Sequence, residues 1–118
     1  MLRDERMPSR KRALVVDDDD PIRNMLTKVV ERQDFEVDTA KDGAEAIEKI
    51  HEDGYALIVL DLMMPRVDGY GVLRYMQEHH PAKLACTIIA SAVPESEILR
   101  QFEKLNAGKG TEWAPEAK

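Results

Sequence analysis

The chain has 118 residues, 43% hydrophobic and 34% charged, enough for one small globular domain with a modest core. Its net charge of -6 excludes a general nucleic-acid binder, because nothing in it is basic enough to track a phosphate backbone. No apolar stretch reaches the roughly 20 residues of a membrane span, the N-terminus lacks the apolar core of a signal peptide, and a lone cysteine, Cys86, forms neither an intrachain disulfide nor a thiolate metal site.

These features place the chain in the cytoplasm, without membrane contact, and make Cys86 a buried structural thiol. Residues 1–12 are polar, with Arg3, Arg6, Arg10, Lys11 and Arg12 partly offset by Asp4 and Glu5, and read as a mobile lead-in. An apolar run at residues 13–16 follows as the first strand and closes on Asp17 and Asp18. Asp20 is the expected N-cap of a helix with Pro21 at its first position. Ile22, Met25, Leu26, Val29 and Val30 recur at helical spacing along one face. Residues 35–39 suit an edge strand. Asp42-Gly43 then turns the chain into a helix with Ala46, Ile47 and Ile50 facing inward, and Asp53-Gly54 ends it.

A second apolar run, residues 57–60, closes on Asp61. The loop after it carries Pro65 and the turn-forming Asp68-Gly69 pair. A third helix over about residues 70–79 must stop before Pro81. Residues 87–90 supply a fourth strand, and Pro94 opens a fourth helix with Ile98, Phe102 and Leu105 on one side. Met25 and Met76 sit at core-facing helical positions. His79 and His80 are adjacent and do not face each other along a helix, so they read as a helix C-terminus that favours partial positive charge.

Four strand-helix units in a row predict an α/β fold with a doubly wound parallel sheet. Short apolar runs without alternation suit strands covered on both faces. Ligands in such sheets sit beyond the carboxyl ends of the strands, where Asp17, Asp18 and Asp61 are expected to meet. Carboxylates crowded together need a cation to stay ionised, and an all-oxygen donor set suits a hard ion such as Mg²⁺. Asp19 and Asp20 are better read as helix-capping acids.

The residues from about Ala13 to Phe102 resemble the receiver domains of two-component response regulators. Val15-Val16-Asp17-Asp18 looks like the family's acidic pair, and Leu60-Asp61-Leu62-Met63-Met64-Pro65 with Asp68-Gly69 looks like its phosphoacceptor loop. Ala90-Ser91-Ala92 looks like its switch hydroxyl. The resemblance implies a flavodoxin-like sheet of order 2-1-3-4-5 and a phosphoryl group taken by Asp61 from a histidine kinase or phosphotransfer protein, with a downstream target protein as reader. It further implies Mg²⁺ bound by Asp18, Asp61 and the Met63 carbonyl, with Asp17 acting mostly through water, and Ser91 hydrogen-bonding the new phosphoryl oxygen. Met63 and Val93 occupy the two positions that flank an attacking water in the family, and neither can orient one.

The tail departs from that pattern. Over residues 107–118, Ala114 falls where receivers carry a lysine before proline, Thr111 falls where an aromatic switch residue often sits, and Pro115 leaves no room for a fifth helix. The expected organisation is therefore a lead-in at 1–12, a receiver core at 13–106 and an atypical tail at 107–118, with fifth strand and helix altered or missing and self-association through the fourth-strand edge. Lys109 is the tail lysine that could stand in. The alternative function is a pseudo-receiver, an interaction module of the same fold that phosphate does not switch. A haloacid-dehalogenase-type phosphatase would need a second acid at position 63, which is Met, and a flavin phosphate would be repelled by Asp17 to Asp20.

Overall fold

The computed structural model describes residues 11–52, 54–64, 68–91 and 94–106. Along the chain run β1 (Lys11–Val16), α1 (Asp20–Glu31), β2 (Phe35–Ala40), α2 (Gly43–Glu52), β3 (Leu57–Leu60), α3 (Gly69–His79), a 3₁₀ helix (Pro81–Cys86), β4 (Thr87–Ile89) and α4 (Glu95–Asn106). The strands are all parallel, in the order β2-β1-β3-β4. The doubly wound sheet expected from the sequence is thus present over four strands, and the expectation of an altered or missing fifth strand and helix concerns residues 107–118, which lie outside the described residues.

Alternation along the strands explains why their sequences are apolar without a break. Leu14, Val16, Ile58 and Leu60 face one way, against Ala46 and Ile50 of α2 and Val72 and Met76 of α3. Ala13, Val15, Leu57 and Val59 face the other way, against Leu26, Val29 and Val30 of α1 and Ile98 and Phe102 of α4. Each central strand is buried on both sides, while β2, at the edge, is only partly covered.

Several local expectations change. β1 begins at Lys11 because Lys11 and Arg12 register against Phe35 and Glu36 of β2, and the Arg12 guanidinium pairs with Asp38 and lies over the Tyr55 ring. The N-cap of α1 is Asp19, whose side chain accepts the Ile22 N–H at 2.9 Å, and Asp20 is the first helical residue. Ile22 and Met25 are 42% and 37% exposed, so the predicted five-residue face shrinks to Leu26, Val29 and Val30. The first turns of α1 stand at the carboxyl rim of the sheet, where β1 has already ended and no longer covers them. Met76, by contrast, is fully buried. The 3₁₀ helix was not foreseen; Pro81 opens it, and Lys83 within it donates to the Tyr55 carbonyl at 2.6 Å. Cys86 is half-buried and donates to the Lys83 carbonyl, and burial raises its pKa.

At β4 a side chain takes a position that a strand could occupy. Ile88 and Ala90 turn their backbone groups toward β3, and Ala90 N–H bonds Leu60 O, so Ile89 points its N–H and C=O away from the sheet. The buried Gln101 of α4 meets both: its Oε1 accepts the Ile89 N–H at 3.0 Å, and its Nε2 donates to the Ile89 carbonyl at 2.7 Å. Ile98 and Phe102 are buried on the existing sheet, and Leu105 packs against the same cluster. Among the described residues no helix is long and apolar enough to cross a membrane.

Candidate functional site

The carboxyl ends of β1 and β3 carry the three acids to one place. Asp61 N–H bonds Val16 O at 3.0 Å, carrying the ladder one step past both strands, and Asp17 N–H bonds Ala40 O at 3.1 Å on the other side. Asp17, Asp18 and Asp61 each offer a carboxylate oxygen, and these oxygens lie within 4.8 Å of one another. Asp17 and Asp61 are buried and Asp18 is exposed. Asp19 and Asp20 stay outside the group, Asp19 as the helix cap and Asp20 paired with Arg23.

Asp17 bears the electrostatic cost. Burial pushes its pKa up from 3.8 to about 6; the Asp19 N–H, donating to Oδ1 at 2.9 Å, opposes that rise, and the charges of Asp61, Asp18 and Asp19 add to it. Arg23, which sequence reasoning did not single out, reaches back from α1 so that its Nη1 donates to the Asp17 carbonyl at 2.9 Å. An arginine six residues downstream gives no local sign of this, since the contact depends on how α1 leaves the strand.

Asp61 is held by two donors on one oxygen. Its Oδ1 accepts the Met63 N–H at 3.0 Å and the Ser91 hydroxyl at 2.8 Å, and the Ser91 oxygen in turn accepts the Leu62 N–H. Ser91, thirty residues away along the chain, is therefore against Asp61. Met63 is 74% exposed. Gly69 matters more than its turn propensity suggested. A Cβ there would lie 2.3 Å from the Asp61 carbonyl oxygen and 2.3 Å from the Leu62 Cα. Only glycine lets the start of α3 approach the backbone that carries Asp61, and Asp68 caps that helix by accepting the Gly71 N–H at 3.0 Å. Val93 and Lys109 lie outside the described residues.

Residues 13–108 match the family described as Response regulator receiver domain. The chain belongs to the receiver-domain family. Over 66 residues this receiver is 47% identical to the transcriptional regulatory protein SrrA of Staphylococcus aureus, a match covering 56% of this chain and 27% of SrrA. The receiver thus spans well under two thirds of the curated relative it matches. Among solved structures, the Thermotoga maritima response regulator TrrA in complex with Mg²⁺-BeF is 28% identical, with a TM-score of 0.66 over 80% of this chain and 98% of that one. A structure of the histidine kinase ThkA with TrrA gives 33% identity and a TM-score of 0.63, covering 71% of each chain. A CheY-like receiver from Methanospirillum hungatei, 20% identical with a TM-score of 0.69 over 86% of this chain and 97% of that one, agrees in fold. The receiver is a signalling phosphoacceptor domain, with an acidic Asp17/Asp18/Asp61 cluster typical of a phosphoacceptor site.

Proposed function

We propose that this receiver accepts a phosphoryl group on Asp61 from a histidine kinase or phosphotransfer protein in the cytoplasm and passes the change to a downstream protein. The observation that carries this reading is the Asp61 carboxylate, set beside Asp17 and Asp18, with the Ser91 hydroxyl 2.8 Å from its Oδ1. The two donors on Oδ1 fix the rotation of the carboxylate and leave Oδ2 to attack phosphorus. The new O–P bond forms as the P–N bond of the donor phosphohistidine breaks, and the imidazole departs with the bonding pair. Such transfer depends on alignment and on charge neutralisation more than on covalent chemistry by the protein.

The donor set fits Mg²⁺: three carboxylates, one of them driven toward protonation by burial and crowding, form an all-oxygen site that a hard cation relieves. Asp18, Asp61 and the Met63 carbonyl would hold the ion, with Asp17 acting through water. Bound there, Mg²⁺ would neutralise charge on the phosphoryl oxygens. The TrrA relative seen with Mg²⁺-BeF supports this assignment. After transfer, Ser91 is placed to exchange its bond to Asp61 for one to the phosphoryl oxygen, releasing the Leu62 N–H, a local charge event of the kind that biases a two-state element. Ile22 and Met25 of α1 and Met63, two residues after Asp61, are exposed and apolar and would serve as contacts for the donor protein; the TrrA relative has been seen in complex with the histidine kinase ThkA.

Intact-mass measurement after incubation with acetyl phosphate and Mg²⁺ tests the reading. Wild type gains one phosphoryl group and Asp61→Asn gains none. A chain that stays unmodified under these conditions favours the pseudo-receiver instead, for which Ala114 in the place of the family lysine is the motivating feature.

A further inference from the structure

The chain has three histidines, and all three gather around one tyrosine far from the acids. The Tyr75 hydroxyl lies 3.2 Å from His51 Nδ1 and 3.4 Å from His80 Nε2. The His51 and His80 rings meet edge to face with centroids 6.1 Å apart, and His79 packs on the Tyr75 ring at 4.8 Å. His51 lies in the last turn of α2, and His80 is the C-cap of α3. We propose that His51 Nδ1 and His80 Nε2, with the Tyr75 hydroxyl between them, form a binding site for a divalent transition metal ion of the zinc and copper class.

Three observations support it. First, the donors are the right kind: imidazole nitrogens select zinc, copper and nickel, whereas the Asp17/Asp18/Asp61 oxygens select hard ions, so the two sites would sort metals by chemistry. Second, the place is electrostatically suited to a cation. The carbonyl ends of α2 and α3 meet there and carry partial negative charge, and Glu48, Glu52 and Glu78 are within a turn of the histidines on the same helices. Third, the present hydrogen bonds hold the rings loosely. Both O···N separations are long, and the hydroxyl can donate to only one of the two nitrogens, accepting from the other only in the tautomer that carries a proton there. Metal-nitrogen bonds of about 2.0–2.1 Å would need both rings to turn inward, which the exposed His51 and half-exposed His80 can do. Water would complete the shell.

The metal would clip the C-terminal end of α2 to that of α3. Because helices in a doubly wound fold run against the strands, this end lies at the rim opposite the acids. Zinc binding should therefore proceed alongside Mg²⁺ binding.

Calorimetry with Zn²⁺ as the probe, on the full chain with Mg²⁺ present in excess, tests the site. The expected result is one bound zinc ion and a zinc-dependent rise in melting temperature, both lost in His51→Ala and in His80→Ala and both kept in His79→Ala and Asp61→Asn. Nitrogen-15 spectra of the histidine rings should show zinc at His51 Nδ1 and His80 Nε2. Unchanged zinc affinity in either His51→Ala or His80→Ala overturns the proposal. So does zinc binding that disappears in Asp61→Asn, which would place the ion at the acid cluster, and so does the absence of binding by wild type. Failure of Asp61 to accept a phosphoryl group would leave this outcome untouched, because the two sites share no residue.

Discussion

Replacing Asp17 by asparagine isolates the cost of keeping the acid cluster ionised. The carboxyl is nearly inaccessible, at 2% exposure, and its pKa in the fold is about 6 against 3.8 when free, first because of burial and then because Asp61, Asp18 and Asp19 are charged nearby. A carboxyl whose pKa is raised on folding destabilises the native state once it must ionise. The penalty is absent below pH 3.8, grows between pH 3.8 and 6, and is complete above that. The difference corresponds to about 3 kcal/mol at neutral pH. Asparagine keeps an oxygen for the Asp19 N–H, so the loop geometry is retained. In EDTA at pH 7, Asp17→Asn should therefore be more stable than wild type by up to about 3 kcal/mol, above the roughly 0.5–2 kcal/mol that one stabilising substitution commonly yields. Urea unfolding at a series of pH values between 4 and 7 measures it. The stability gap between variant and wild type should open from nearly nothing at pH 4 to its full size at pH 7, and Mg²⁺ should narrow it by stabilising only the wild type appreciably. A gap that is independent of pH, or a variant less stable than wild type throughout, would refute the electrostatic account.

Three further outcomes follow from the geometry. Gln101→Ala leaves the outward N–H and C=O of Ile89 without the amide that now satisfies both, so stability should fall by about 2 kcal/mol; sedimentation over a concentration series should show more self-association than wild type, because the β4 edge is then open to another chain. Gly69→Ala puts a methyl group into the Asp61 and Leu62 backbone, so it should cost about 1–3 kcal/mol and slow phosphorylation of Asp61, read by urea unfolding and by the rate of mass gain. The phosphorylated protein should decay slowly, since the Met63 side chain is apolar and exposed at the site, and Met63→Asn combined with Val93→Glu should shorten its lifetime; an unchanged lifetime would remove these residues from the account.

The sequence by itself determined the order of elements and the position of the acids. Short apolar runs that end on Asp17 and Asp61 between polar flanks read as strands covered on both sides, and parallel strands deliver their last residues to one rim, so local pattern pointed to where those carboxylates meet. The family motifs also put Ser91 within reach of Asp61, as the 2.8 Å contact shows. Tertiary structure decided what no local pattern encodes. Ile22 and Met25 have the same helical spacing as Leu26 and Val29, but they overhang the rim of the sheet and stay exposed. Gln101 looks like any polar residue of a helix until α4 packs so that its amide meets Ile89. His79 and His80 cannot pair along their own helix, and only the packing of α2 against α3 brings His51 and His80 to opposite sides of the Tyr75 hydroxyl. Periodicity follows from the sterics of neighbouring residues. Contacts between elements depend on how crossovers place helices over the sheet, and residues far apart in the chain carry no mark of that until the core has packed.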